Sequence, residues 1–271
     1  MTDQAALAQR FRDLHRPGQP LLIPNPWDAG SAKLFASLGF QALATTSSGF
    51  AATLGRLDGS VTRDEALEHA AVIAASTELP VSADLENLFA DTVTGVAETA
   101  AGAVAAGLAG FSIEDFSGRD DDPIYERAEA AERVAAAAEV AHGGPAQLVL
   151  TGRCENYLHG RPDLSDTIAR LQAYQQAGAD VLYAPGLSSP RDIADVISAV
   201  DRPVNMLARP GAPPVAELAE LGVSRVSVGG AFAFAGIAAV VAAAEELRDA
   251  GTYGFAQQSA AGLRAARDAF A

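Results

Sequence analysis

Short apolar segments rich in branched residues alternate with longer, alanine-rich amphipathic segments along almost the whole chain, and this alternation restricts the possible folds more than any other feature. Strands that alternate with helices predict a parallel sheet, because each parallel pair needs a long crossover connection. Eight strand-then-helix units within 271 residues match an α/β fold of the (β/α)8 TIM-barrel type. The predicted strands are Leu21–Pro24, Ala42–Thr46, Val81–Asp84, Gly110–Glu114, Leu148–Arg153, Val181–Ala184, Val204–Ala208 and Arg225–Val228.

The predicted helices lie between these strands, and several end in a glycine that precedes the next strand, as at Gly39 and Gly178. The rival architecture is a doubly wound open sheet, but the G-x-G-x-x-G fingerprint after the first strand and the P-loop pattern are both absent. We therefore expect a single domain over residues 1–271, with the barrel at about 20–250 and an extra C-terminal helix at about 256–270. The helices expected before it are 31–38, 63–77, 92–106, 126–141, 163–177, 189–199, 213–221 and 231–249.

Two segments bear on whether the chain is exported or inserted into a membrane. The N-terminal segment MTDQAALAQRFRDLHR has no apolar stretch with a cleavage site, so it predicts an amphipathic helix and not a signal peptide. The longest apolar run, 229–244, is shorter than the roughly 20 residues that a membrane-spanning helix needs. We expect that run to form a buried helix.

The charge balance limits the partners of the chain. With 34 acidic and 19 basic residues, the formal net charge is −15, which gives no broad positive field for nucleic acid or an anionic membrane surface. A small anionic substrate remains compatible, because a local arginine or metal can hold it. The one cysteine, Cys154, excludes an internal disulfide and fits a cytoplasmic location.

Acidic side chains follow two neighbouring strands where an active site of this fold forms, at the C-terminal ends of the strands. Asp84 and Glu86 follow the third strand, and Glu114 ends the fourth. Carboxylates without clustered thiolates or histidines suit Mg²⁺ or Mn²⁺ better than Zn²⁺. Each acid alone could be a helix cap, so the prediction of a metal site depends on their convergence.

Groups that could bind a carboxylate come from other strand ends. Arg153 ends the fifth strand and can bind a carboxylate or phosphonate through two hydrogen bonds. Ser47, Ser48 and Gly49 could offer backbone N–H groups and hydroxyls to an oxyanion. Asn205 on the seventh strand is a further candidate for substrate binding. Glu155 is either another site residue or a partner of Arg153.

Several stretches carry a resemblance to a known family: NPWDAGSAKLFASLGF, TTSSGFAATLGRLDG, PVSADLENLFAD, GFSIED, TGRCENYLHGRPD, AGADVLYAPG, RPVNMLARPG and GVSRVSVGG. Together they resemble the isocitrate lyase/phosphoenolpyruvate mutase superfamily, with its phosphonomutases and 2-methylisocitrate lyases, from about Leu21 to Gly236. The resemblance implies a Mg²⁺-dependent barrel that makes or breaks C–C or P–C bonds beside a 2-oxo acid, through an enolate whose charge the metal holds. It also implies a homo-oligomer, a dimer or tetramer, in which neighbouring subunits exchange the C-terminal helix.

The resemblance also assigns roles to individual residues. It implies that Asp84 and Glu114 are metal ligands, that Asp58 lies near the metal through water, that Arg153 binds substrate, and that Ser48-Gly49 binds an oxyanion. Ser82 replaces the first aspartate of the family's Asp-Ala-Asp motif, and Glu86 is the carboxylate that could substitute for it.

The segment 117–125, which corresponds to the family's gate loop, lacks the cysteine that acts as acid and base in the lyases. The group that transfers the proton is therefore open, with Tyr125, Tyr157 and His159 as candidates. For His159 a packing role is the alternative.

Three hypotheses follow for the function. The first is a Mg²⁺-dependent lyase or hydrolase that cleaves a C–C bond in a small 2-oxo or 2-hydroxy (di)carboxylate. The second is a phosphonomutase or phosphonate hydrolase that acts on a P–C bond. The third, motivated by Ser82 and the atypical gate loop, is a barrel that binds a small acid without catalysis.

Overall fold

A computed structural model describes residues 3–119 and 121–271. Met1 and Thr2 of the predicted N-terminal helix, and Asp120 of the segment 117–125, lie outside the described residues. Eight parallel strands of the described chain are hydrogen-bonded in the order β1-β8-β7-β6-β5-β4-β3-β2. A 3.1 Å bond from the N–H of Ala44 to the carbonyl of Pro24 joins the two ends of this order. The strands are β1 Leu21–Ile23, β2 Leu43–Ala44, β3 Val81–Asp84, β4 Gly110–Glu114, β5 Val149–Arg153, β6 Val181–Tyr183, β7 Val204–Leu207 and β8 Arg225–Ser227.

Helices surround the strands, and the predicted (β/α)8 TIM barrel with an extra C-terminal helix is confirmed. One helix was not predicted: α3 begins directly after β2, where the hydroxyl of Thr46 accepts from the N–H of Gly49 and caps it. The helices of the described chain are α1 Gln4–Asp13, α2 Ala29–Ser37, α3 Ser47–Thr53, α4 Arg63–Ala75, α5 Val93–Ala105, α6 Arg127–Gly143, α7 Leu164–Gln176, α8 Pro190–Ala199, α9 Val215–Glu220, α10 Ala231–Glu245 with a π-helical turn Glu246–Ala250, and α11 Ala256–Phe270.

Helix α1 covers the end of the barrel where the strands begin. Phe11 is fully buried and packs in one apolar cluster with Ala109, Val149 and Val181. Gly110 makes room for it, since a Cβ there would lie 3.0 Å from the Phe11 ring and 2.5 Å from the carbonyl of Val149. This end is therefore filled, which leaves the C-terminal ends of the strands for an active site.

Helix α10 corrects one expectation, because the run 229–244 does not form a buried helix in the single chain. Of the described residues of α10, Ala233 alone is buried. Apolar residues occupy nearly every position around the helix, so one contact with the barrel cannot cover them all. Helix α11 packs along α2, and none of its described residues is buried. The exposed large apolar side chains of α10 are Phe232, Phe234, Ile237, Val240 and Val241. Within the described chain, no helix combines the length and apolar character that crossing a membrane requires.

Replacing Phe11 with alanine should destabilise the barrel, because it leaves a cavity under the strands. We expect a loss of about 3–5 kcal/mol in the free energy of unfolding, measured by urea denaturation. The matched control is Phe270→Ala, since Phe270 is 52% exposed and its loss should change stability little. Equal effects of the two substitutions would contradict the role of α1 as the closure of the barrel.

Candidate active site

The centre of the candidate site is Arg153, whose guanidinium contacts carboxylates that follow three adjacent strands. Its Nη1 lies 3.2 Å from Oε2 of Glu114 and 3.5 Å from Oδ1 of Asp84, and its Nε donates to Oε1 of Glu155. The side chains are largely buried, with 18% of Arg153, 8% of Glu114 and 2% of Glu155 exposed. The predicted convergence of Asp84, Glu114 and Arg153 is therefore present, and Glu155 is a partner of Arg153.

Burial and mutual charge set the ionisation of this cluster. Burial alone would lower the pKa of Arg153, but attraction by Glu155, Glu114 and Asp84 raises it well above its usual value. Burial favours the neutral form of Glu155, yet Arg153 and His159 hold the pKa of that carboxyl below its usual value. Burial raises the pKa of Glu114 despite Arg153, and Glu155 and Asp84 raise it further. One guanidinium thus faces more carboxylates than it can neutralise.

Glu86 belongs to a strained loop beside the cluster. Glu86, Leu88 and Phe89 have φ angles of 49°, 62° and 52°, a left-handed conformation that costs free energy for residues with a side chain. Buried Arg133 holds the loop in this shape, since its Nη2 donates to the carbonyls of Asn87 and Ala90 at 2.8 and 2.7 Å. The loop conformation therefore has a support outside the site.

The conformation of this loop places the Glu86 carboxyl beside Asp84. Burial, followed by repulsion from Asp84 and Asp58, raises the pKa of Glu86 to about 8. Its Oε1 is buried and has no hydrogen-bond partner among the described residues. A buried polar atom without a partner is costly, so this oxygen is available to a cation or a cation-bound water.

The predicted oxyanion-binding residues form the first turn of α3. Ser47 contacts Asp84, to whose Oδ2 it donates from its hydroxyl at 3.2 Å and from its N–H at 3.4 Å. Oγ of Ser48 lies 3.2 Å from Oγ1 of Thr46, and a Cβ on Gly49 would lie 2.5 Å from Cγ2 of Thr46. Ser47 therefore orients a predicted metal ligand, while the N–H of Gly49 is used by Thr46.

Asp58 approaches the same group from its loop. Desolvation, together with the charge of Asp84, raises the pKa of Asp58 despite a hydrogen bond with Ser47. The structure thus places Asp58, Asp84 and Glu86 close enough to repel one another.

Other predicted residues lie outside the pocket between Asp84 and Arg153. Tyr125 is buried beneath the guanidiniums of Arg119 and Arg133, 5.5 and 4.3 Å from its ring centre, and does not line that pocket. His159 stacks on Phe116 with ring centres 3.9 Å apart, and its Nε2 lies 3.6 Å from Oε2 of Glu155. His159 can therefore act on the cluster through Glu155, whereas Tyr125 has a packing role.

Asn205 and Tyr183 line the pocket and make contacts that the sequence does not predict. Asn205 lines the pocket, but its amide donates to Ser227 and accepts from Arg225, both at 3.0 Å. Tyr183 was not among the candidates, yet its ring centre lies 5.3 Å from the guanidinium carbon of Arg153. The register of neighbouring strands could have identified Tyr183, because it pairs with Arg153 between β5 and β6. Burial raises the pKa of Tyr183 to about 12, so it stays a hydrogen-bond donor.

The arrangement of the carboxylates limits how the predicted metal ion could be bound. Among residues 3–119 and 121–271, no three His, Cys, Asp or Glu side chains are placed so that together they could hold one ion. Mg²⁺ commonly keeps several waters and takes only one or two carboxylates directly. Asp84 and the unpartnered oxygen of Glu86 fit such a hydrated ion, and Glu114, already paired with Arg153, fits contact through water.

Comparison with known proteins agrees with this geometry. The family model described as phosphoenolpyruvate phosphomutase matches residues 11–248. A candidate lyase/mutase from Burkholderia cenocepacia J2315 is 54% identical in sequence, with a TM-score of 0.91 over 94% of this chain and 92% of that protein.

Relatives with named activities are more distant. The 2-methylisocitrate lyase of Halalkalibacterium halodurans is 28% identical, over 90% of this chain and 78% of that protein. The structure of 2,3-dimethylmalate lyase is 27% identical with a TM-score of 0.82, over 94% of this chain and 90% of that protein. The resemblance noted in the sequence is thereby confirmed.

Removing the charge of Arg153 should destabilise the protein in a pH-dependent way. Arg153 lowers the pKa of Glu155 in the folded chain, so the pair stabilises the fold above about pH 4 and loses this effect as the pH falls. We expect Arg153→Gln to cost about 3–5 kcal/mol near pH 7.5 and much less near pH 3.

Urea denaturation of wild type and variant at both pH values measures this difference. Arg191→Gln, at a side chain that is 89% exposed, should show no such difference. A loss for Arg153→Gln that is independent of pH would contradict the proposed charge balance.

Proposed function

This chain belongs to the phosphoenolpyruvate phosphomutase family, and on that premise we propose that it is a Mg²⁺-dependent lyase or hydrolase of C–C bonds. The substrate class is a small 2-oxo or 2-hydroxy (di)carboxylate. The observation that carries the proposal is the buried contact of Arg153 with Asp84, Glu114 and Glu155 at the C-terminal ends of three adjacent strands. Burying several charged groups together costs free energy of folding. Clusters of this kind are common where a protein binds a ligand or carries out catalysis.

The metal would be held by Asp84 and Glu86, with Glu114 and Asp58 in contact through water. A bound Mg²⁺ supplies Lewis-acid stabilisation of negative charge on an oxygen of the substrate. Ser47 fixes the orientation of the Asp84 carboxylate through its hydroxyl. Glu86 lines the same small cavity as Asp84 and Ser47. Mn²⁺ could replace Mg²⁺, because both prefer oxygen ligands.

Arg153 would position the substrate carboxylate. Its Nε and Nη1 are engaged by the protein carboxylates, while its Nη2 donates no hydrogen bond within the described chain. This nitrogen can donate to a substrate carboxylate at the mouth of the pocket. The ring of Tyr183 lies against the guanidinium and restricts its position. Asn205 lines the same pocket and completes the predicted substrate contacts.

His159 is the best supported of the candidates for proton transfer. It is linked to the cluster by Glu155, 3.6 Å away, and it is partly exposed, whereas Tyr125 is buried beside Arg133.

A phosphonomutase or phosphonate hydrolase is the second candidate, because the matching family model is that of phosphoenolpyruvate phosphomutase. The same arginine would then bind a phosphonate in place of a carboxylate.

An activity screen separates these possibilities. We expect release of pyruvate from 2-methylisocitrate, 2,3-dimethylmalate or a related 2-hydroxy acid, measured by coupled reduction with NADH. Isomerisation of phosphoenolpyruvate, followed by phosphorus NMR, would instead support the phosphonomutase. Asp84→Asn should lower kcat/KM at least about 100-fold, since it weakens both the metal and the charge balance. Asp91→Asn, in an exposed position of the same segment, should retain activity. Equal activity of the two variants would contradict the assignment of Asp84.

We also propose that the chain forms a homo-oligomer, a dimer or tetramer, through α10 and α11. Exposed apolar patches of this kind mark interfaces in soluble proteins. A groove of about 390 Å³ runs between α3 and α10, lined by Trp27, Ala52, Ile237 and Val240 among others. A second copy of the chain, with its own uncovered α10, is a suitable occupant of this surface.

Val240→Glu should weaken this association, because Val240 is 69% exposed on α10 and a charge there would be buried in the interface. Sedimentation equilibrium should show a shift toward the monomer. Val72→Glu, at another exposed valine on α4, should leave the oligomer intact. Dissociation by both variants, or by neither, would count against an interface on α10.

A further inference from the structure

A second arginine lies inside the barrel below the active site, and no acidic side chain of the described residues is paired with it. Arg225 begins β8 and is 6% exposed. Its Nε donates to Oδ1 of Asn205 at 3.0 Å, and its Nη2 donates to the hydroxyl of Thr151 at 3.2 Å. Its Nη1 lies 3.4 Å from Nε2 of His15. No carboxylate of residues 3–119 or 121–271 forms an ion pair with it, although buried cations in proteins are normally paired.

His15 does not compensate for the charge of Arg225. Its Nδ1 lies 2.8 Å from the carbonyl oxygen of Phe11, which can only accept, so Nδ1 carries the hydrogen and Nε2 accepts from Arg225. Burial, followed by the charge of Arg225, lowers the pKa of His15 to about 3. Burial lowers the pKa of Arg225 to about 10, which still leaves it charged at neutral pH. The pair therefore carries one uncompensated positive charge.

The acids of the active site are at a different level of the barrel. Thr151 precedes Arg153 by two residues on β5, so it lies roughly 6–7 Å lower on the same side of the strand. Asp84 and Glu114 are already in contact with Arg153 at the upper level. The counter-charge for Arg225 is therefore expected at its own level, inside the barrel.

The pocket between Asp84 and Arg153 extends down to that level, where Thr151 and Arg225 line it. It has a volume of about 60 Å³, enough for a few waters or one small anion. Barrel interiors of this fold are usually filled by branched apolar side chains, whereas this one is lined by polar groups and opens upward to Asp84 and Arg153. The hydroxyl and amide side chains that line it are Asn25, Thr45, Ser82, Ser112, Thr151, Asn205 and Ser227.

We propose that Arg225 and the hydroxyl of Thr151 form a buried binding site for a small monovalent anion, a halide or a single carboxylate group, beneath the active site. A guanidinium has five N–H donors, and the contacts with Asn205, Thr151 and His15 use three of them. The Thr151 oxygen accepts from Arg225, so its own hydrogen is free to donate to the anion. The anion enters through the shared opening at Asp84 and Arg153. This site does not depend on the proposed lyase activity.

Thermal unfolding in different anions tests the proposal directly. The probes are chloride, bromide and formate, each titrated against gluconate at constant ionic strength, because gluconate is too large for the cavity. At ten times its Kd, a bound anion should raise the Tm of the wild type by about 3–5 °C. Arg225→Gln should remove the dependence on anion. Thr151→Val, which keeps the shape of the side chain, should raise the Kd of the anion about tenfold. This variant tests the site even if Arg225→Gln does not fold. Arg191→Gln should behave as the wild type.

Crystals grown in bromide locate the ion. Anomalous density beside Arg225 would confirm the site, and its loss in Thr151→Val would identify the hydroxyl as a ligand. Repeating the titration with saturating oxalate distinguishes the sources of the anion. Loss of the bromide effect would mean that a ligand carboxylate takes this position, and its persistence would mean a separate resident anion. Absence of anomalous density together with equal Tm values in bromide and gluconate would overturn the proposal, as would an unchanged bromide effect in Thr151→Val.

Discussion

The interaction on which the rest of the site depends is the contact of one buried guanidinium with carboxylates from three strands. Arg153 is at the end of β5 and touches Asp84, Glu114 and Glu155. Parallel strands in a closed barrel bring these chain ends together, so the fold itself provides the concentration of charge. Carboxyl groups still outnumber cations after Arg153 is counted, since burial and the charge of Asp84 raise the pKa values of both Glu86 and Asp58. A cation at this position would satisfy the cluster.

Supports outside the pocket keep the cluster in place. Asp115, behind β4, accepts from the N–H of Glu155 at 2.7 Å and from the hydroxyl of Tyr174 at 2.5 Å. Arg133 holds the carbonyls of the loop that carries Glu86. Active-site carboxylates held in this way need little rearrangement when a ligand binds. The strained φ angles at Glu86, Leu88 and Phe89 are compatible with a loop shaped for binding.

The sequence predicted the barrel because the alternation of strand and helix is a property of the whole chain, and eight repeats leave few architectures. Asp84, Glu114 and Arg153 could be placed because strand ends converge. Packing between elements was harder to predict. Tyr125 lies beside Arg133, a contact that periodicity does not reveal.

Helix α3 is short, and its first turn contains Ser47, Ser48 and Gly49, for which the sequence predicts an oxyanion-binding role. The apolar run of α10 signals burial, but sequence alone cannot tell burial in the barrel from burial by a second subunit. The role of Arg225 cannot be predicted from the sequence, because a single charged residue at the start of a strand gives no pattern.

The most direct test of the central claim is calorimetric titration with oxalate, a mimic of the pyruvate enolate, in Mg²⁺ and then in excess chelator. The account predicts binding in Mg²⁺ that disappears in chelator and in Asp84→Asn. It would be contradicted by binding of equal strength without metal, or by no binding under either condition, because the acidic cluster around Arg153 would then not serve a metal and an enolate.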